Sequence, residues 1–134
     1  MGFHDFYRMS SHAVICNASG QILLLKATYA EHAWGLPGGG IDMGETIHDA
    51  LFRECREELG CEVELDYLSG IYFHNAVTSH AFIFKCHLKA NAKIQLSDEH
   101  SEYRWFNLDE LSEVQRIRVE DCLNFKGQVF SRAF

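Results

Sequence analysis

Proline is almost absent from this chain: Pro37 is the only one in 134 residues. No Pro- or Ser-rich linker, internal repeat or low-complexity stretch interrupts it, so residues 1–134 are expected to form one compact domain. No apolar run approaches the ~20 residues a membrane span requires, and Ile22-Leu23-Leu24-Leu25 is only strand length. The start, Met1-Gly2-Phe3-His4-Asp5, lacks the basic segment and long apolar stretch of a secretory signal. The cysteines (Cys16, Cys55, Cys61, Cys86 and Cys122) are odd in number and show no CxxC spacing. That pattern argues against a disulfide framework or a zinc site and for reduced thiols in a cytoplasmic protein. Positive charge is also scarce. Twelve Lys and Arg face nineteen Asp and Glu, a net of −7, which leaves no basic footprint for duplex nucleic acid or an anionic membrane. An acidic protein can still handle a phosphorylated substrate if something cationic mediates, and bound metal ions are the obvious candidate.

What is present is the balance of an ordinary globular domain, 47% apolar and 23% charged. Ser11 to Cys16, the turn Asn17-Ala18-Ser19-Gly20, and Gln21 to Lys26 read as a β-hairpin. Residues 27 to 45 read as loop-rich, with Trp34-Gly35-Leu36-Pro37-Gly38-Gly39-Gly40 at the centre. A helix is expected next, with Thr46 as N-cap, Asp49 three residues later and Gly60 just past its end. Cys61 to Phe73, His80 to Leu88 and Tyr103 to Asn107 read as strands. Two short helices are expected after them, at about Leu108 to Val114 and Val119 to Phe130. Interleaved strands and helices predict an α/β/α sandwich around a mixed β-sheet.

The chemistry is concentrated in residues 38–61, GGGIDMGETIHDALFRECREELGC. At ~100° per residue, Glu54, Glu57 and Glu58 share an arc of about 100° on the expected helix. Leu51, Phe52, Cys55 and Leu59 occupy a neighbouring arc that can bury against a sheet. Crowded carboxylates repel one another, and Mg²⁺ or Mn²⁺, which prefer hard oxygen ligands, would relieve that repulsion. The spacing runs Gly39, five residues, Glu45, seven residues, Arg53-Glu54, two residues, Glu57-Glu58, one residue, Gly60. It resembles the signature of the Nudix hydrolases at each fixed charged and glycine position. Cys55 and Cys61 depart from it, standing where the family has bulky aliphatic residues. The approach, Trp34-Gly35-Leu36-Pro37-Gly38-Gly39, is also similar to the family's entry into this motif.

The resemblance implies a fold of Nudix type and a division of labour by position. Glu54, Glu57 and Glu58 would ligate metal together with the Gly38 carbonyl, and Glu54 or a partner carboxylate would deprotonate the attacking water. Arg53 and Glu45 would orient the carboxylates. The stretch Glu99-His100-Ser101-Glu102-Tyr103-Arg104-Trp105 resembles one that supplies a further ligand or base, which places that role on Glu99, with Glu102 the rival on spacing. Lys26, Trp34, Gly39 and Gly40 are candidates for contact with substrate. The implied reaction is Mg²⁺-dependent (or Mn²⁺-dependent) cleavage of a P–O–P bond in a nucleoside diphosphate linked to a moiety X. A nucleoside triphosphate, oxidised ones included, is the leading substrate. The alternatives are a dinucleoside polyphosphate, dihydroneopterin triphosphate, a sugar nucleotide, or a non-catalytic nucleotide sensor. The lone proline removes the downstream markers of ADP-ribose and NADH hydrolases. The expected partner is a small nucleotide, with a homodimer suggested by resemblance alone.

Overall fold

The computed structural model describes residues 2–134. Ten regular elements follow in order. They are β1 (Arg8–Ile15), β2 (Ile22–Ala27), β3 (Trp34–Gly35), β4 (Gly38–Gly40), α1 (Ile47–Leu59), β5 (Val63–His74), β6 (Ser79–Leu88), β7 (His100–Phe106), α2 (Glu113–Leu123) and β8 (Phe130–Ala133). One sheet is mixed, in the order β4-β1-β6-β5-β8, and a smaller antiparallel one runs β3-β2-β7. In the mixed sheet β1 lies parallel to β6 and β5 parallel to β8, while β1–β4 and β5–β6 are antiparallel.

The two helices cover opposite faces, and the residue alternation of the strands shows it. Ala13, Ile15, Leu23, Leu25, Phe84 and Cys86 pack with Leu51, Cys55 and Leu59 of α1. Their sequence neighbours Val14, Ile22, Leu24 and Ile83 pack with Val119 and Cys122 of α2. A period-two strand presents alternate side chains to alternate faces, so a run with every residue apolar is what a sheet covered on both sides requires. This is the α/β/α arrangement the sequence predicts.

The helix α1 also forms where its caps predict. The Thr46 hydroxyl accepts from the Asp49 N–H, the Asp49 carboxylate accepts from the Thr46 N–H, and Gly60 closes the helix with φ 65°. Four expectations are corrected. The hairpin is one: β1 and β2 both exist, but only Cys16 and Ile22 bridge, and the strands part into different sheets. Within residues 27 to 45, Gly38–Gly40 is not loop but an edge strand on β1, with Ser11 opposite Gly39. The last expected helix stops at Leu123, and Phe130–Ala133 is strand β8 beside Gly70 to Phe73. Leu108–Glu110 forms only a short 3₁₀ turn.

A polar contact in the interior fastens β8 and α2 to the mixed sheet. The buried Asp121 of α2 accepts from the Tyr72 hydroxyl at 2.9 Å and from Arg132 of β8 at 2.8 and 2.9 Å. Burial opposes its ionisation, but the hydrogen bonds from Arg132 and Tyr72 prevail and its acid falls below the ordinary value of 3.8. A carboxylate more acidic in the folded than in the unfolded chain stabilises the fold above its unfolded value and loses that effect as pH falls through its folded value. Asp121→Asn is therefore expected to cost about 1–3 kcal/mol at pH 7. Urea unfolding of both proteins across pH should show the difference shrinking below about pH 4. An undiminished difference at pH 2–3 would make the loss one of shape rather than charge.

Candidate active site

The glycine strand β4 and the helix α1 are fastened to each other at both ends of the strand. At one end the Gly38 N–H donates to Glu58 Oε1 at 2.8 Å. At the other, Arg53 Nη2 donates to the Gly40 carbonyl at 3.0 Å. Between them Gly39 faces Glu54 so closely that a Cβ there would lie 2.8 Å from its carboxyl group. Gly38 has φ +139°, and a Cβ on it would lie 2.1 Å from the Ser11 carbonyl oxygen. Only glycine fits at Gly38, whereas at Gly39 a side chain would have to displace the Glu54 carboxyl group. The Ser11 hydroxyl donates to the Ile47 carbonyl at 2.8 Å, holding the first turn of α1 to β1.

Arg53 is the hub of the polar network. It grips Glu45 with Nε and Nη2 at 2.6 and 2.9 Å, and its Nη1 reaches Glu54 at 3.0 Å and Glu57 at 3.3 Å. Glu45 in turn accepts from the Asp42 N–H at 2.8 Å. The Arg53 hydrogen bonds, followed by that from Asp42, pull the Glu45 acid down to about 2.

The carboxylates across the arc have the opposite environment. Glu58 is 3% exposed, and burial, then the charges of Glu54, Glu99 and Glu57, push its acid up to about 8 against the hydrogen bond from Gly38. Burial likewise raises Glu54, with Arg53 opposing and Glu57 and Glu99 adding to the rise. Glu99, on an exposed loop, thus shares a field with the helix carboxylates although it comes from another part of the chain. Glu102 does not join them: it faces Lys26 across β2–β7 at 3.8 Å. Lys26 is therefore engaged by a carboxylate, and Trp34 by the Arg104 guanidinium 4.8 Å from its ring and by Phe106 edge-on at 5.1 Å.

Beside the glycines lies a cleft of about 260 Å³. Its walls come from both sheets: His12, Gly38 and Gly39 from the mixed one, Leu25, Trp34 and His100 from the other, with Tyr29 at the connection. Gly40 and Lys26 stand outside it. Three of these wall residues, His12, Tyr29 and His100, carry no motif and were not legible in the sequence as site residues. Burial first, then the Arg118 charge, pushes the His12 imidazole down to about 3, so it stays neutral. A larger hollow of about 680 Å³ runs along the outer side of α1 between Phe52 and Lys89. It contains the Arg56–Glu62 ion pair. The three helix glutamates line neither hollow, but the smaller one is walled by Gly38 and Gly39, the residues that touch Glu58 and Glu54.

Among the described residues no three His, Cys, Asp or Glu side chains already converge as a ready cage for a cation. A hydrated Mg²⁺ needs less: one or two carboxylates, with waters and substrate phosphates completing its octahedron. Burial and then the neighbouring carboxylates raise Glu54 and Glu58, and Arg53 is committed mainly to Glu45. Hard oxygen donors crowded together, with a repulsion that Arg53 relieves only in part, fit a divalent cation of that kind.

Comparison with known proteins agrees with this geometry. A family model of the NUDIX domain matches residues 6–122. A MutT-like protein of Streptomyces ambofaciens is 30% identical over 125 residues, 90% of this chain and 80% of that protein. An RNA pyrophosphohydrolase of Vibrio vulnificus is 50% identical over 56 residues, which is 42% of this chain but only 32% of that relative's length. Among solved structures, an ADP-ribose pyrophosphatase from Streptococcus suis superposes with a TM-score of 0.77. That match covers 96% of this chain and 100% of the other at 22% identity, a likeness of fold.

The two glycines predict separable defects. Gly38→Ala meets backbone and a left-handed φ, so it is expected to cost about 3 kcal/mol or more of stability by urea unfolding. Gly39→Ala meets only the Glu54 carboxyl group, so its melting temperature should stay close to wild type while turnover falls at least about tenfold. A Gly39→Ala protein with full turnover would show that the placement of Glu54 is unimportant.

Proposed function

The chain belongs to the NUDIX family, and from that membership we infer that residues 1–134 form one Mg²⁺- or Mn²⁺-dependent hydrolase of P–O–P bonds in nucleotide-linked compounds. The leading substrate is a nucleoside triphosphate, oxidised ones included. The observation that carries this reading is the joint of β4 and α1, where Glu54 and Glu58 of the helix meet a strand without side chains. A bare backbone lets a phosphate chain approach as no side-chain-bearing strand would.

Glu54, Glu57, Glu58, Glu99 and the Gly38 carbonyl would hold the metal. When bound, it supplies positive charge for crowded phosphate oxygens and makes a water more acidic. Glu54, half-buried and raised, takes the proton of the attacking water, with Glu99 as its partner. Arg53 and Glu45 keep Glu54 and Glu57 in place through the guanidinium fork. Trp34 and Gly39 contact substrate within the cleft. Gly40 flanks it, and Lys26 exchanges Glu102 for a phosphate. Cytoplasmic location and a homodimer belong to the same reading, and all five cysteines are free thiols. Among the described residues no helix is long and apolar enough to cross a membrane.

A panel of nucleoside triphosphates, sugar nucleotides, dinucleoside polyphosphates, dihydroneopterin triphosphate and 5′-triphosphorylated RNA, with Mg²⁺ and with chelator, tests the activity. RNA enters through the partial relative named for that reaction, although a net charge of −7 offers no excess of basic residues for an RNA body. Metal-dependent cleavage is expected, read as phosphate or pyrophosphate from the triphosphate arms and as nucleotide products from the sugar-nucleotide and dinucleoside arms; binding without cleavage on every arm would leave a sensor.

Glu57→Gln should abolish most turnover while the metal-free melting temperature holds or rises, because one repelling charge leaves the arc. Mg²⁺ should then protect the variant less than wild type. Outside the helix, Glu99→Gln should lower kcat by about 10²–10⁴-fold, the range for one positioned acid–base group. Glu102→Gln, which breaks only an exposed pair with Lys26, should cost little. Reversal of that order in steady-state kinetics at saturating Mg²⁺ would move the fourth carboxylate to Glu102.

A further inference from the structure

The connection between β2 and β3 contains three consecutive residues in left-handed backbone, Ala30 (φ 50°), Glu31 (φ 60°) and His32 (φ 59°). Side-chain-bearing residues are disfavoured there, and three in succession are unusual. Glycine would remove the penalty, and the chain uses it at Gly20, Gly38, Gly44, Gly60 and Gly127, all with positive φ. It does not do so here, which is the pattern of strain retained beside a functional site.

The surroundings hold the turn in that shape. The Ala27 N–H donates to the Ala33 carbonyl at 3.0 Å, and the His32 N–H to the Tyr29 carbonyl at 2.9 Å. Thr28 ties the turn to the loop that carries Glu99. Its N–H donates to the Glu99 carbonyl at 2.9 Å, and its hydroxyl lies 3.2 and 3.1 Å from the Asp98 and Glu99 carbonyls. The residue this arrangement presents is Tyr29, 56% exposed, in the wall of the cleft beside Gly38 and Gly39. Burial first, then the charges of Glu58, Glu99 and Glu54, raise its phenol, so it keeps its proton at neutral pH. Next to it the His100 ring stands 6.3 Å away, and His100 Nδ1 is buried with no partner among the described residues. Unsatisfied polar atoms of this kind are rare in a finished interior, so this one is open to a further partner.

We propose that the left-handed turn Ala30–His32 is a clamp that holds Tyr29 in the wall of the cleft beside Gly38 and Gly39, where its hydroxyl donates to the phosphate chain of the substrate. The reasoning is one of complement. The charged groups around the phenol are acceptors, whereas a phosphate oxygen brought in with its cation is an acceptor that needs a donor. A donor fixed on a strained, doubly tied turn loses little freedom on binding. This rests on the hydrolase reading above and names a substrate-positioning residue within it.

Tyr29→Phe removes the hydroxyl and keeps the ring. Calorimetric titration with Mg²⁺ and inorganic tripolyphosphate, and with Mg²⁺ and a methylene-bridged nucleoside triphosphate, is expected to show both binding about tenfold or more weakly. On a cleaved nucleotide, KM should rise by a similar factor with kcat changed by less than about threefold. Glu31→Gly relieves the turn, so it should raise the melting temperature by about 2–5 °C and yet raise KM, because Tyr29 loses its fixed place. Wild-type affinity of Tyr29→Phe for tripolyphosphate overturns the phosphate contact, including the case where only the nucleotide analogue is weakened, which would put the hydroxyl against the nucleoside instead. A Glu31→Gly protein that melts no higher, or melts higher with an unchanged KM, overturns the clamp. Wild type that binds the analogue but cleaves no nucleotide overturns the hydrolase reading alone, and the binding comparison still decides Tyr29. Binding of neither probe by wild type overturns both.

Discussion

The bidentate grip of Arg53 on Glu45 is what allows a helix to carry three glutamates on one arc. A guanidinium offers five donors in a fixed plane, and this one distributes them over Glu45, Glu54, Glu57 and the Gly40 carbonyl. A lysine has no such fork and could not bridge the loop and the helix at once. Exposed ion pairs contribute little singly, but Arg53 is 23% exposed and its partners are linked through it. The same residue that relieves repulsion along α1 also seats the far end of the glycine strand, so electrostatics and backbone placement are one constraint.

That constraint sorts residues of one chemical type into different states. Glu45, held by the fork and by a backbone N–H, is a stronger acid than an ordinary glutamate. Glu58, four residues beyond Glu54, sits in the interior with a single N–H for company and other carboxylates nearby, and is a much weaker one. Glu54 lies between these limits because Arg53 and burial pull it in opposite directions. Environment, not identity, sets the roles, and the cost of the crowded arc is offset by the apolar face of α1. Leu51, Cys55 and Leu59 are fully buried against both sheets. The two cysteine departures from the family pattern leave this packing intact: Cys55 is buried and Cys61 packs at the margin of the same cluster.

The legible parts of the fold were those with local chemical signatures. Thr46, Asp49 and Gly60 bound α1 because capping is decided within one turn of helix, and the carboxylate arc follows from helix geometry alone. The strands β5 and β6 were legible from runs of β-branched and aromatic residues. What failed depends on distant partners. The helix α2 buries Val119, Cys122 and the polar Asp121, so its apolar stripe is too faint to give its end. The strand β8 exists because Phe130 to Ala133 finds an open edge of β5 and Arg132 finds Asp121 across the fold. Tyr29, His12 and His100 carry no motif, since what brings them together is the meeting of two sheets rather than any spacing along the chain.

The corrected hairpin and the cleft have the same cause. Had β1 and β2 stayed paired beyond Cys16 and Ile22, ladder hydrogen bonds would hold them about 4.8 Å apart and leave no space for a ligand. They diverge because each has a longer partner elsewhere. The strand β1 runs beside β6 from Arg8 to Ile15, and β2 beside β7 from Ile22 to Ala27. Each sheet then brings one wall, with His12 and Gly38 on one side and Leu25 and Trp34 on the other. The connection from β2 to β3 has to span the opening, which puts Tyr29 at its mouth. The glycine strand is hydrogen-bonded to β1 along one edge and reaches α1 at both its ends, so the carboxylates come to the rim of this gap. Longer pairing with β6 and β7 draws β1 and β2 apart, and a gap walled by both sheets, beside the glycines that touch Glu54 and Glu58, is what remains at the point of divergence.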